Sequence, residues 1–97
     1  MTKPQKLAED AIAAELSKLD GWQRDGDAIG KTYKFADYHD TMAFVNATAW
    51  ISHRADHHPD IALGYNTCKL VYSTHSAGGL SMNDFACAAK VDALFQL

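Results

Sequence analysis

Apolar residues near the start of the chain recur at the spacing of a helix. They are Leu7, Ala8, Ala11, Ile12, Leu16 and Leu19, between Pro4 and Gly21. Because proline suits the first turn of a helix, where its missing N–H costs nothing, the pattern predicts a helix over residues 4–19. After Gly21 the helical spacing gives way to the alternate positions of a strand, occupied by Ile29, Lys31, Tyr33 and Phe35. The preceding Asp25-Gly26 pair tolerates the positive φ of tight turns, so the sequence predicts a two-stranded hairpin here.

A longer helix is predicted from Tyr38 to about Ala55. Asp37 is a good N-cap with the acidic Asp40 three residues on, and the apolar residues fall on more than one side of the helix. We therefore expect a sheet to cover one flank and another surface, such as a subunit interface, to cover a second. Pro59 is expected to end this helix.

Two more strands and a last helix complete the pattern. Alternate positions are Ile61, Leu63 and Tyr65, followed after a turn at Asn66-Thr67 by Cys68, Leu70, Tyr72 and Thr74. Ser81, with Asp84 three residues later, resembles a capping box before a helical stripe that reaches Phe95. The order α-β-β-α-β-β-α predicts an α+β fold, with a four-stranded antiparallel sheet and three helices on one face. We expect a single domain over residues 1–97.

Composition and charge narrow the class of protein. Nine Lys and Arg against twelve Asp and Glu give a net charge of −3, and the basic residues are dispersed, so we expect no direct nucleic-acid partner. No secretion signal or run approaching the roughly 18 apolar residues of a membrane helix is present, so we expect a cytoplasmic protein with no membrane partner. Cys68 and Cys87 lack C-x-x-C spacing and are expected to be reduced and packed as small apolar groups.

Five histidines supply the candidate chemistry. They are His39, His53, His57, His58 and His75. We interpret His39 as a solvated residue at a helix start, whereas the next three crowd the end of the second helix and His75 ends the fourth strand. If the third and fourth strands are antiparallel, the imidazoles at 57, 58 and 75 meet in one cleft. Imidazole can both give and take protons near neutral pH, so this cleft is a candidate acid–base site.

Asp84 has two interpretations. An acid in the first turn of a helix complements the helix dipole, which is a purely structural role. Asp84 also follows His75 by nine residues, near enough to accept a hydrogen bond from one imidazole nitrogen and fix which nitrogen faces a substrate.

Several motifs of the second half resemble one known family. They are Asp56-His57-His58-Pro59-Asp60, Tyr65-Asn66, Ser73-Thr74-His75, Gly78-Gly79-Leu80-Ser81 and Asp84. With these motifs the chain resembles the pterin-4a-carbinolamine dehydratase family, closely over residues 54–84 and more loosely upstream. The resemblance implies the same order of elements, dimers formed by joining sheets and, in some members, tetramers built through helices.

The resemblance also implies an activity. A member of the family removes water from a 4a-hydroxytetrahydropterin to give a quinonoid dihydropterin, in tetrahydrobiopterin recycling, and requires no cofactor or metal. By match to the family motif, His57 and His75 would be the acid–base residues, His58 would help to hold the pterin and assist catalysis, and Asp84 would orient His75. The implied substrate contacts are Asp56, Ser73, Thr74, Ser76 and Trp22.

Two alternatives stay open. His53 stands where many family members carry an acid, and its spacing from His57, with His75 as a third ligand, is one that a metal ion can use. The second alternative is a non-catalytic dimerisation or assembly module with a protein partner, since the family includes members that help other proteins to dimerise or fold. Three convergent imidazoles favour the enzyme, because a pure scaffold has no need of them.

Overall fold

The predicted order of elements is confirmed. The structure, a computed structural model, describes residues 4–96. Its main elements are α1 (Glu9–Ser17), β1 (Gln23–Asp25), β2 (Ala28–Lys34), α2 (Tyr38–Ala55), β3 (Asp60–Leu63), β4 (Thr67–Ser73) and α3 (Met82–Ala93). Two short 3₁₀ turns, His75–Ala77 and Leu94–Gln96, follow β4 and α3. None of the helices described is long and apolar enough to cross a membrane.

The four strands form one antiparallel sheet in the order β1-β2-β4-β3. Gly26, at a φ of 61°, makes the turn between β1 and β2, as the Asp-Gly pair predicted. In the register of β4, Ser73 pairs with Ala28 on one side and Val71 pairs with Asp60 on the other. The end of β4 therefore lies between the β1–β2 turn and the start of β3, where the sequence brings the histidines.

The start of α1 differs from the prediction, and α2 ends at the predicted residue for a different reason. Residues 4–8 form no helix or strand, and the backbone N–H of Leu7 donates to the carbonyl oxygen of Leu80 at 2.8 Å. This bond holds the segment against the loop before α3, so α1 begins only at Glu9. The end of α2 is set by Asp56, which takes the left-handed conformation at a φ of 51°, three residues before Pro59.

The core lies between the sheet and the helices. Its buried apolar residues are Ile12, Trp22, Ile29, Tyr33, Phe44, Cys68, Leu70, Tyr72, Leu80, Phe85, Cys87, Ala88 and Val91. The alternation predicted along β4 is confirmed, because Cys68, Leu70 and Tyr72 are all buried. Both cysteines are unpaired and buried, as expected, and burial raises the pKa of each thiol. They are packed as small apolar groups.

A carboxylate near the end of α3 ties that helix to the sheet. Asp92 accepts hydrogen bonds from the indole N–H of Trp22 at 3.0 Å, from Nζ of Lys31 at 3.0 Å and from the hydroxyl of Tyr33 at 2.5 Å. Burial, followed by this bond to Asp92, raises the pKa of the Tyr33 phenol. Three donors on β2 and just before β1 thus converge on one side chain of α3.

The strand β3 forms an exposed edge of the sheet. Ile61 and Leu63 pair with Leu70 and Cys68 of β4 and so share the helix-covered face, yet 43% and 44% of their surfaces are exposed. Trp50 of α2 is 63% exposed. Trp50 leaves part of α2 uncovered within one copy, and the further cover expected for its second flank stays a prediction.

We predict that Asp92→Asn lowers the free energy of unfolding by about 2 kcal/mol, because the hydrogen bonds lose their charged acceptor and the Lys31 ion pair is lost. Urea unfolding followed by circular dichroism measures this change. Asp20→Asn is the matched control, since the exposed Asp20 side chain makes no hydrogen bond within residues 4–96. Equal stability of the two variants would show that the Asp92 cluster contributes nothing.

Candidate active site

The carboxylate of Asp84 is the centre of the candidate site. Asp84 lies in the first turn of α3 with none of its surface exposed, and it forms a capping box with the N-cap residue Ser81. Its Oδ2 accepts from the backbone N–H of Ser81 at 3.0 Å and from Oγ1 of Thr74 at 2.8 Å. Its Oδ1 lies 2.6 Å from Nε2 of His57. The helix N-terminus and these donors compensate a charge that burial alone would penalise.

The imidazole of His57 is fixed on two sides. Its Nε2 contacts Asp84, and because a carboxylate can only accept, this nitrogen carries the hydrogen and Nδ1 carries the lone pair of the neutral ring. The ring stacks on that of Tyr72, with centroids 5.8 Å apart and planes 12° apart. The chain turns back toward the core just before His57. Asp56 takes the left-handed conformation there, and the backbone N–H of His57 donates to the carbonyl oxygen of Ser52 at 3.0 Å.

Tyr72 and Ser52 were missed by the sequence analysis as site residues. Their hydroxyls are 2.8 Å apart and both side chains are buried. Burial raises the pKa of Tyr72 to about 12. The sequence does contain a signal for Ser52. It lies on the same buried face of α2 as Phe44 and Thr48, and a polar residue on a buried face needs a hydrogen-bond partner.

The end of β4 brings further predicted residues together. A cavity of about 300 Å³ is lined by Asp27, Ala28, Ser73, Thr74, His75, Gly78 and Gly79. His75 is exposed at the start of its 3₁₀ turn, and Ser76 and His58 are exposed as well. Asp84 bonds to His57 and to Thr74, the residue directly before His75, so one carboxylate joins the loop after α2 to the end of β4.

Asp84 does not contact the histidine that was expected. It was expected to orient His75, but its oxygens bond to His57, Thr74 and Ser81. The alternation of β4 gives the reason: Thr74 continues the inward-facing set and reaches Asp84, whereas His75 follows it outside the strand and is exposed.

Two other predicted residues lie elsewhere. Trp22 is 4% exposed in the core, where it donates to Asp92, and it does not line the cavity beside His75. His53 lies on the last turn of α2 beside Trp50, with ring centroids 6.4 Å apart. Since the helix ends at Ala55, His57 does not continue its face, and residues 4–96 contain no group of three or more His, Cys, Asp or Glu placed to hold a metal ion.

Comparison with known proteins identifies the family. Residues 5–94 match the family model described as pterin 4 alpha carbinolamine dehydratase. The chain belongs to this family. Its fold, with the order α-β-β-α-β-β-α, is that of a pterin dehydratase. The resemblance seen in the histidine motifs is therefore confirmed over nearly the whole chain.

Individual relatives agree with this assignment. A protein of Nitrosospira multiformis named for a pterin-4-alpha-carbinolamine dehydratase is 57% identical over 91 residues, covering 94% of this chain and 80% of its own. One of Chromobacterium violaceum with the same name is 53% identical over 90 residues, covering 93% and 83%. The crystal structure of a transcriptional coactivator/pterin dehydratase from Brucella melitensis superposes with a TM-score of 0.89 at 32% identity, covering 93% of this chain and 98% of that one.

Alkaline pH should destabilise this member of the dehydratase family through Tyr72. Burial raises its pKa from 10.0 to about 12, so the folded protein holds the phenol proton more tightly than the unfolded chain does. The stabilisation is complete below about pH 10 and is lost as the pH rises toward 12. We expect the free energy of unfolding, measured in urea at fixed pH, to fall less steeply across this window in Tyr72→Phe. Identical slopes would contradict the buried phenol.

Proposed function

We propose that this protein eliminates water from a 4a-hydroxytetrahydropterin to give a quinonoid dihydropterin, as a step in tetrahydrobiopterin recycling. The observation that carries the proposal is the bonding of Asp84 to both His57 and Thr74, which joins the two histidine segments in a chain of this family. Loss of the hydroxyl group needs one proton delivered to the departing oxygen and one removed from the ring, which positioned imidazoles perform.

The proposed mechanism divides two proton transfers between two histidines. The C4a–O bond breaks, and a proton from the His75 imidazolium goes to the departing oxygen, which leaves as water. The lone pair at Nδ1 of His57 takes the proton of the adjacent ring N–H, whose electron pair forms the new C=N bond. Asp84 keeps hydrogen on Nε2 of His57 and thus leaves Nδ1 available.

The substrate contacts follow from exposure. We propose that His58, Asp56 and Ser76, which are exposed at the same end of the sheet, and Ser73, which lines the cavity, contact the pterin. Thr74 is 4% exposed and its hydroxyl serves Asp84 and Ser81, so its proposed role is to hold the carboxylate. Trp22 has the core role described above and is omitted from the substrate site.

His57→Ala and His75→Ala are each expected to lower kcat for dehydration of synthetic 4a-hydroxytetrahydropterin by about 10²–10⁴-fold, the usual contribution of general acid–base catalysis. Stopped-flow absorbance measures the rate. His39→Ala is the control, because that imidazole is 92% exposed at the start of α2. A folded wild type that does not accelerate the reaction, or histidine variants as fast as the control, would contradict the proposed function.

An assembly role is the second candidate. The structure of a pterin dehydratase-like protein described as a RuBisCO assembly factor in the alpha-carboxysome matches with a TM-score of 0.63 and 28% identity, covering 75% of this chain and 84% of that one. The buried bonds around His57 favour the enzyme, because a scaffold needs no oriented imidazole. A pull-down tests this candidate. An assembly role would be favoured if the wild type and a variant lacking His57, His58 and His75 retained the same protein partner equally.

We also propose that two copies join at β3. An edge strand presents unpaired backbone groups, and pairing with a second copy satisfies them. Ile61 and Leu63 would then be covered by the same residues of the other copy across a two-fold axis. The exposed Trp50 of α2 offers a further surface for a tetramer.

Leu63→Lys is expected to reduce the mass in solution to that of a monomer, because it places a charge in the apolar surface that each copy would bury at the paired edges. Multi-angle light scattering measures the mass. Thr32→Lys is the control, since Thr32 is exposed on the central strand β2. A wild type that is already monomeric would contradict edge pairing.

A further inference from the structure

A second carboxylate shares the cavity of His75. Asp27 lies in the turn between β1 and β2, and it lines the cavity of about 300 Å³ together with His75. The register explains the proximity: Ala28 pairs with Ser73, so Asp27 lies one step beyond β2, opposite Thr74 and next to His75. A turn residue distant in sequence from the histidine motifs is thus built into the same site.

The Asp27 carboxylate is available to a ligand. Within residues 4–96 no side chain or backbone group donates a hydrogen bond to it. The neighbouring cation, Arg24, is engaged elsewhere, since its guanidinium bonds to the carboxylate of Glu9 and to the carbonyl oxygen of Gly26. An exposed acid on a hairpin turn is ordinary, but Asp27 lines a cavity that also carries a candidate catalytic imidazole.

The chemistry of a pterin supplies the matching donors. Its pyrimidine ring presents the N3–H and the 2-amino N–H side by side, and a carboxylate accepts two such parallel bonds, as it does from arginine. We propose that Asp27 is a specificity-determining residue that accepts these two hydrogen bonds and so selects the 2-amino-4-oxo form of the ring. This inference rests on the proposed function and deepens it by assigning the recognition of the pyrimidine end.

The size and walls of the cavity agree with this assignment. About 300 Å³ is at the small end of ligand pockets, enough for part of a bicyclic substrate whose remainder extends toward the open histidine corner. Gly78 forms part of one wall without a side chain, and nothing lies within 4 Å of where its Cβ would be, so a flat ring can approach the backbone there. Asp25, in the same hairpin, does not line this cavity.

Asp27→Asn tests the inference, with Asp25→Asn as the matched control. Asparagine has the same size but replaces one acceptor by a donor and removes the charge. We expect KM for 4a-hydroxytetrahydropterin to rise about tenfold in Asp27→Asn, the usual effect of losing a charge-assisted hydrogen bond. kcat should change less than twofold, because the histidines are intact. The control should keep both constants.

A binding measurement separates recognition from catalysis. Anaerobic calorimetry compares tetrahydropterin with its 2-oxo analogue, in which a carbonyl oxygen replaces the amino donor and faces the carboxylate unfavourably. The wild type and Asp25→Asn should prefer tetrahydropterin by at least about tenfold, and Asp27→Asn should lose most of that preference.

The outcomes distinguish this inference from the proposed function. An Asp27→Asn variant with the KM and the binding preference of the wild type would overturn the role of Asp27, while dehydration by the wild type would leave the proposed function standing. A wild type that binds tetrahydropterin selectively through Asp27 without dehydrating its 4a-hydroxy form would support the recognition and contradict the dehydratase function. A wild type that does neither would overturn both.

Discussion

The rest of the site depends on a buried carboxylate that must be compensated. Asp84 has no exposed surface, and a charge in that position is tolerated only if donors surround it. The backbone of Ser81, the hydroxyl of Thr74 and the imidazole of His57 are those donors. Each belongs to a different segment of the chain, so compensating one charge fixes the start of α3, the end of β4 and the loop after α2 relative to one another.

The same helix carries a second carboxylate with a different task. Asp92, about two turns after Asp84, joins α3 to the side chains of Lys31 and Tyr33 on β2. The two acids hold the helix against the sheet near both of its ends. Asp92 is part-buried and its donors are structural, whereas Asp84 is bonded to the imidazole that we propose takes a proton from the substrate at its other nitrogen. One helix thus carries both a structural carboxylate and the carboxylate of the proposed active site.

Much of the fold could be predicted because local signals agree with tertiary ones. The start of α2 and the capping box of α3 were recognised from Asp37 and Ser81, which act through bonds within a few residues. The start of α1 was wrong because Leu7 pairs with Leu80, a contact that no local pattern reports. The partner of Asp84 was wrong for the same reason, since the left-handed turn at Asp56 delivers His57 to a carboxylate 27 residues away.

The central claim is that Asp84 acts by orienting His57. Its most direct test is a double-mutant cycle in kcat/KM between His57→Ala and Asp84→Asn. Circular dichroism checks that each variant folds. If Asp84 acts by orienting His57, removing the carboxylate after the imidazole is gone should have little further effect, so the double variant should be about as active as His57→Ala alone. Losses that multiply in the double variant would contradict the claim, because they would show that the two side chains contribute independently.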